Sequence, residues 1–222
     1  MRFLDRTHAG RLLGAQLASL DLKRPVVYAL PRGGVPVGLE VANALNAPLD
    51  LLLVRKIGVP WQKELAAASI VEGEPDIVFN EDVLELTGIS REQVQNAAKA
   101  EFLEIERRRA LYLKNRKSIS VEGRDALLID DGIATGASLK AAIKAVRRRR
   151  PSRVIVGAAV GSPDTVEELR QLADLVVCLS TPEGFFAIGP YYDDFHQLSD
   201  QEVVDLLKQK TVSAESPDAS AT

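Results

Sequence analysis

The stretch LLIDDGIATGAS, Leu127–Ser138, sets two carboxylates at the end of an apolar run and follows them with small residues that open a helix-like segment. The run reads as a buried strand, and Asp130 and Asp131 fall at its C-terminal end, the edge where open α/β sheets hold their ligands. Successive strand residues point to opposite faces, so one Asp faces a ligand while the other braces the loop or approaches from the side; spacing alone does not choose between them. Ala134, Thr135, Gly136, Ala137 and Ser138 then offer consecutive backbone N–H groups beside a helix N-terminus, with two hydroxyls, which suits a phosphate dianion. Carboxylates accept hydrogen bonds from a diol and repel a phosphate, so a sugar phosphate lying along the loop fits both parts. The loop lacks the Gly-Lys of a Walker A motif, the chain has no G-x-G-x-x-G, and GASLK lacks the second glycine of a nucleophile elbow.

Outward from this loop, short Val/Ile/Leu-rich runs alternate with helical patterns. VVYAL, VPVGLEVANAL and LDLLLVRKI read as strand, helix, strand; DALLID, SLKAAIKAVRRRR, VIVGAAV, DTVEELRQL and DLVVCLS repeat the alternation. Such repetition predicts a parallel sheet covered by helices on both faces, a three-layer α/β fold. Between the two halves, AAASIV and DIVFN flank the polar cluster EGEP and read as a small hairpin. Ser90 and Gln93 then form a capping-box pattern that opens a long helix with an inner stripe of Val94, Ala98, Phe102, Ile105 and Tyr112, reaching about Asn115. Ser162-Pro163 starts another helix. Near the N-terminus, Leu13, Leu17 and Leu20 suggest a short amphipathic helix whose role is packing. The expected organisation is one domain over residues 1–210, with a hairpin and helical excursion at about 66–117, and a disordered tail at 211–222.

Whole-chain properties set limits on function. With 222 residues, 46% hydrophobic, 27% charged and a net charge of −3, the chain has the balance of a soluble globular domain and no overall field that would draw it to nucleic acid or anionic lipid. The run Arg147–Arg150 is best read as the basic end of a helix, with its charges spread around the axis. The lone Cys178 lies in an apolar strand and reads as an inert thiol, and the first residues look unlike a signal peptide, so a cytoplasmic location is expected. His8 and His196 are too isolated for a transition-metal site.

The Leu127–Ser138 loop matches at every position the signature of the type I phosphoribosyltransferases, and the chain resembles that family. Nearly its full length resembles stand-alone bacterial phosphoribosyltransferase-domain proteins, through FLDRTHAG, ALPRGGVPV, VRKIGVP and YYDDF. The resemblance implies the type I fold with a small hood, and transfer of 5-phosphoribosyl from phosphoribosyl diphosphate (PRPP) to a nitrogenous base in nucleotide salvage or synthesis. It implies that Asp130 and Asp131 contact the ribose hydroxyls and approach Mg²⁺, that Ala134–Ser138 hold the 5′-phosphate, and that Arg32, Gly33, Gly34 and Arg55 serve the diphosphate. A loop around Lys56, Trp61, Lys63 and Glu64 would close over the centre, and Lys56, Lys63, Glu64, Asp130 and Asp131 are the expected catalytic set. Phe185, Phe186, Tyr191 and Tyr192 are candidates for stacking on the base, with plain packing as the equal alternative. Ala134 stands where many 6-oxopurine enzymes carry Asp, which argues against that acceptor and leaves the base open. The resemblance also implies a homodimer. Two other readings compete with a transferase: a PRPP-binding regulator of nucleic acid without turnover, and a phosphoribosyl hydrolase.

Overall fold

The computed structural model describes residues 1–74, 77–114, 116 and 118–214, without the side chains of residues 63, 64 and 209–214. Asp5 caps the first helix, α1 (Arg6–Ala18), by accepting a hydrogen bond from the His8 amide at 2.6 Å. The strand β1 (Val26–Ala29), helix α2 (Gly34–Ala44) and strand β2 (Leu49–Leu51) follow as the alternation predicts. A Cβ on Gly10 would lie 2.9 Å from the Cα of Val37, and one on Gly14 would lie 2.8 Å from the Cβ of Ala44. These two glycines are what let α1 lie close against α2.

The run LDLLLVRKI is not one strand. The amide of Leu52 still donates to Ala29 in the main sheet, whereas the carbonyl of Leu53 accepts from Glu72. The chain thus passes at Leu53 into a second, antiparallel sheet of β3 (Val54–Val59), β4 (Gln62–Val71) and β5 (Val78–Phe79), in the order β3-β4-β5. Both neighbourhoods are buried, so hydrophobicity gives no sign of the switch. Between β4 and β5 lies the expected hairpin; the segment expected to be a polar loop is instead mostly strand, with only Pro60 and Trp61 in the turn. A short helix, α3 (Glu81–Thr87), leads to α4 (Arg91–Leu113), which carries the full Ser90/Gln93 capping box and buries Val94, Ala98, Ile105 and Tyr112.

The second half runs β6 (Asp125–Ile133), α5 (Ala137–Arg148), β7 (Arg153–Gly161), α6 (Pro163–Arg170) and β8 (Leu175–Ser180), then a 3₁₀ turn at Gly189–Tyr191 and α7 (Asp200–Ala214). The last helix buries Val203, Val204 and Leu207 against the hood and is not foreshadowed by the sequence patterns above. It extends into the stretch expected to be a tail, of which residues 215–222 lie outside the described ones. None of the described helices is long and apolar enough to cross a membrane.

The five-stranded sheet is parallel throughout, in the order β2-β1-β6-β7-β8. Alternate strand residues fill two cores: Tyr28, Leu128 and Val156 pack with α5, while Val27, Leu127 and Ile155 pack with α1 and α2. From β1 the chain winds to one side, to β2, and from β6 to the other, to β7 and β8. The reversal between β1 and β6 is the topological switch point where such sheets bind ligands.

Asp125 anchors the opposite end of β6. Its carboxylate is fully buried, accepts from the Lys23 amide at 2.7 Å and from Arg153 Nε at 3.1 Å, and makes a second, shorter contact with Arg153. Burial pushes this carboxyl up, but the hydrogen bonds from Arg153 and Lys23 outweigh it and hold it below the usual carboxylate range. Its stabilisation is therefore present at neutral pH and lost as pH falls through that lowered value. Asp125→Ala leaves the Lys23 amide without its acceptor, while the half-exposed Arg153 guanidinium can turn to water, and should cost about 1–3 kcal/mol, read as a lower urea midpoint.

Candidate functional site

β6 outruns its neighbour. Pairing with β1 ends at Ala29 and Ile129, whereas pairing with β7 continues to Ile133 and Gly161. Asp130 and the residues after it therefore border an open edge, which the turn after β1 lines from the other side. A Cβ on Gly34 would lie 2.5 Å from the Ile129 carbonyl oxygen, and one on Gly33 would lie 2.0 Å from Asp131 Oδ2. The Arg32–Gly34 turn and the acidic loop are thus in van der Waals contact, and only glycine fits at the contact. The Pro31–Arg32 peptide bond is cis.

The loop beyond the acids is held from behind. Gly136 adopts a left-handed conformation at φ +67°, and its open side faces Thr165 Cγ2. Thr165 Oγ1 donates to the Ala134 carbonyl at 2.9 Å. The turn leads straight into α5, whose N-terminus opens on a cleft, and the Gly33 turn, packed against both acids, leads into α2. The α5 N-terminus supplies partial positive charge and first-turn backbone N–H groups to an anion, whereas at α2 the Gly34 and Val35 amides already donate to Leu30 and Arg32 and Pro36 has no N–H.

The cleft has a volume of about 160 Å³ and is lined by Lys56, Asp130–Leu139 and Ile188. A larger space of about 510 Å³ adjoins it under the hood, sharing Lys56, Thr135 and Ala137 and adding Ser69, Asn80, Lys140 and Lys144. Lys56 has no ion-pair partner among the described residues, and it acts electrostatically on Asp130. Burial pushes the Asp130 carboxyl well above the usual range, and the neighbouring Asp131 pushes the same way, against Lys56. Asp130 Oδ1 accepts from the Asp131 amide at 2.9 Å, and no cation pairs with this carboxylate among the described residues.

Asp131 differs. Its Oδ2 accepts from Arg6 Nε at 2.7 Å in a buried ion pair, so burial raises this carboxyl while the guanidinium works against the rise. The two carboxylates that spacing could not tell apart are thus distinct in their surroundings: Asp130 faces the cleft without a cation, and Asp131 braces. Among the described residues no group of three or more His, Cys, Asp or Glu is gathered as a metal cage.

Several expected site residues lie elsewhere or engage other groups. Neighbouring strand residues face opposite ways, so Lys56 faces the cleft while Arg55, expected at the diphosphate, turns to Glu101 on α4 at 2.6 Å. Tyr192 is no stacking platform. It is 3% exposed, packs on Phe3 and Phe195, and its hydroxyl donates to the Asp131 carbonyl at 2.7 Å. Phe185 and Tyr191 stack on each other at 5.8 Å, which leaves Phe186, 80% exposed, as the candidate of the four without a ring contact among the described residues. Lys63 and Glu64 lie on β4, with side chains outside the described residues. Arg32 lies at 3.8 Å from Asp200, a residue sequence reasoning missed, which also accepts from Tyr112 at 2.5 Å and from Arg107 at 2.9 Å. Burial pushes the Cys178 thiol up to about 11, consistent with an inert group.

Comparison with known proteins gives concordant findings. The family model described as "Phosphoribosyl transferase domain" matches residues 6–195. The Mycobacterium tuberculosis H37Rv protein named "Putative phosphoribosyl transferase Rv0571c" is 45% identical over 206 residues, which is 92% of this chain and 46% of that protein. The chain thus spans about half the length of the curated relatives it matches. The crystal structure of TT1426 from Thermus thermophilus superposes with a TM-score of 0.81 at 42% identity, covering 94% of this chain and 99% of that one. The structure of AQ2163 from Aquifex aeolicus, at 12% identity and a TM-score of 0.52, covers 83% of this chain and 78% of its own, and shares the fold.

Proposed function

The chain belongs to the phosphoribosyl transferase domain family, and from that premise we propose that it transfers 5-phosphoribosyl from PRPP to a nitrogen nucleophile, releasing diphosphate. The observation that carries the reading is the pairing, in one cleft at the switch point, of the Asp130 carboxylate, which has no ion-pair partner among the described residues, with the glycine-bounded N-terminus of α5, while the glycine turn that opens α2 packs against the same acids. PRPP has this distribution of groups: a diol between two phosphate ends.

In this reading the Ala134–Ser138 amides and hydroxyls hold the 5′-phosphate, and Asp130 accepts hydrogen bonds from the ribose hydroxyls. Arg32 and the Gly33–Gly34 turn receive the diphosphate, with Lys56 as the nearby cation lining the cleft. These groups stabilise the charge that builds on the departing diphosphate, and the hood excludes water from the reacting carbon. Asp130 is a hard oxygen donor lining the cleft without a cation, which fits Mg²⁺ held mostly by substrate oxygens, where it would neutralise the leaving group. Phe186, 80% exposed and two positions before the cleft residue Ile188 in the chain, is the aromatic this reading offers to a planar acceptor.

The basic run does not favour a nucleic-acid regulator. Arg147 pairs with Asp174, Arg148 and Arg149 with Glu74, and Arg150 with Glu122. The experiment is a diphosphate-release assay with PRPP and Mg²⁺, run without acceptor and against a panel of purine and pyrimidine bases. Stimulation by one base is expected. Release that no base accelerates points to a hydrolase, and PRPP binding without any release points to a regulator; either result overturns the transferase reading. A cytoplasmic location and a homodimer belong to the same proposal.

A further inference from the structure

The two motifs at the ends of the domain, FLDR and YYDDFH, meet behind Asp131. Besides its bond to Asp131, Arg6 donates through Nη1 to the His196 carbonyl at 3.0 Å, and its guanidinium carbon lies 3.9 Å from the centre of the Phe195 ring. The Phe3 amide donates to the Tyr191 carbonyl, and the Asp193 amide donates back to Phe3, each at 2.8 Å. Tyr192 closes the arrangement with its hydroxyl on the Asp131 carbonyl. The Arg6 side chain is 9% exposed and that of Asp131 is 11% exposed. The launch point of Arg6 is fixed in turn, because it is the first residue of α1, capped by Asp5 and seated on α2 by Gly10 and Gly14.

Stability alone is a poor account of this arrangement. Desolvating two charges costs about as much as their attraction returns, and apolar residues of similar volume commonly stabilise as well. What an apolar replacement does not supply is control of a carboxylate that lines a ligand cleft. Two adjacent anions at the mouth of a pocket for a polyanionic ligand repel that ligand, and a guanidinium behind one of them removes half of the problem. The planar fork also dictates which way the carboxylate oxygens point.

We infer that Arg6 is a positioning residue for the sugar phosphate: it cancels the charge of Asp131 and turns Oδ2 away from the ligand, so that Asp130 takes the ribose diol. The inference rests on the PRPP reading of the cleft. It makes the N-terminal helix part of the binding site, with no contact between that helix and the ligand. The titratable and charged groups bearing on Asp131 are Asp130 on its own strand, Arg6 from α1, Tyr192 from the segment after β8, and Lys56, which lines the same cleft from β3.

The test uses Arg6→Gln and Arg6→Lys in the full chain. PRPP affinity is measured with Mg²⁺ by titration calorimetry at pH 6 and pH 8, and Asp131 is titrated by carbon NMR of labelled aspartate in the unliganded protein. Arg6→Gln should bind PRPP at least about tenfold more weakly, a loss of about 1.4 kcal/mol, and more so at pH 8, where the uncovered Asp131 carboxylate is charged. Arg6→Lys restores charge without the fork and should recover part of the loss. The Asp131 resonance should titrate at higher pH in Arg6→Gln, since burial is then unopposed. A folded Arg6→Gln or Arg6→Lys protein that binds PRPP like wild type at both pH values overturns the inference. Wild-type protein that binds no PRPP sinks the reading of the cleft instead. Arg6's hold on Asp131 is then decided by the unliganded titration, supported by an upward shift and overturned by none.

Discussion

Asp130→Asn should weaken PRPP binding by about 10- to 150-fold, the equivalent of roughly 1.5–3 kcal/mol for a lost charge-assisted contact, with the fold intact. The size follows from what surrounds the residue. Asp131 is already engaged by Arg6, so no second carboxylate stands ready to take the diol when Asp130 is neutralised. An amide keeps one acceptor oxygen and presents an NH₂ group that competes for the same hydroxyls. Asp131→Asn acts differently, because it leaves the buried Arg6 guanidinium without its anion, and its main effect should be on stability. Calorimetric titration of both variants, beside their urea midpoints, separates the two roles. Equal affinity losses with equal midpoints would falsify the division of labour.

The same residue predicts a pH dependence whose sign can be worked out. Burial and the Asp131 charge raise the Asp130 carboxyl above its unfolded value, so the unliganded fold takes up a proton in the window between the two. Stability of the unliganded protein therefore contains a contribution that falls as pH rises through that window. Ligand binding reverses the preference, since the diol bonds to the ionised form. PRPP affinity should thus increase with pH across the window and level off above it, with proton release on binding in the lower part. Asp130→Asn should abolish both trends.

How far the sequence reveals this site depends on whether the information is local. The phosphate cradle is legible because its parts lie within the single stretch Leu127–Ser138: a strand, two acids, a left-handed glycine and a helix start. The α4 capping box and the β4–β5 hairpin are legible for the same reason. Arg6 is not, because its partner lies 125 positions away and the helix it opens shows only the spacing of a packing face. Arg55 and Lys56 show a different limit. Strand parity puts one of them in the cleft and the other on α4, but parity is fixed only once the start of β3 is known, and the buried handover at Leu53 hides that start. The aromatic cluster near the C-terminus is legible as a cluster, but composition cannot say which ring is enclosed. Tyr192 is enclosed because the segment leading into α1 brings Phe3 against it.

Gly33→Ala should be the most disruptive single methyl group in the cleft. An added Cβ would sit 2.0 Å from Asp131 Oδ2 and 2.5 Å from its Cγ, inside any tolerable contact. The carboxylate is pinned at Oδ2 by Arg6, and the backbone of the same residue is pinned at its carbonyl by Tyr192. Either the carboxylate rotates off the guanidinium, which breaks a buried ion pair at a cost of about 3–5 kcal/mol, or the turn backs away from β6, which adds overpacking strain of about 1–3 kcal/mol and displaces Arg32. Both routes damage binding: the first frees Asp131 to repel the ligand, and the second moves the diphosphate turn. Urea unfolding should therefore show a loss of about 1–5 kcal/mol, a range spanning these two relaxations, together with a drop in PRPP affinity of about tenfold or more. The two readouts also identify the route taken. Rotation of Asp131 leaves the affinity loss steeper at high pH, where the freed carboxylate is charged, whereas retreat of the turn weakens binding equally across the range. A Gly33→Ala protein with native stability and native affinity would mean that the diphosphate turn and the acidic loop are not in contact.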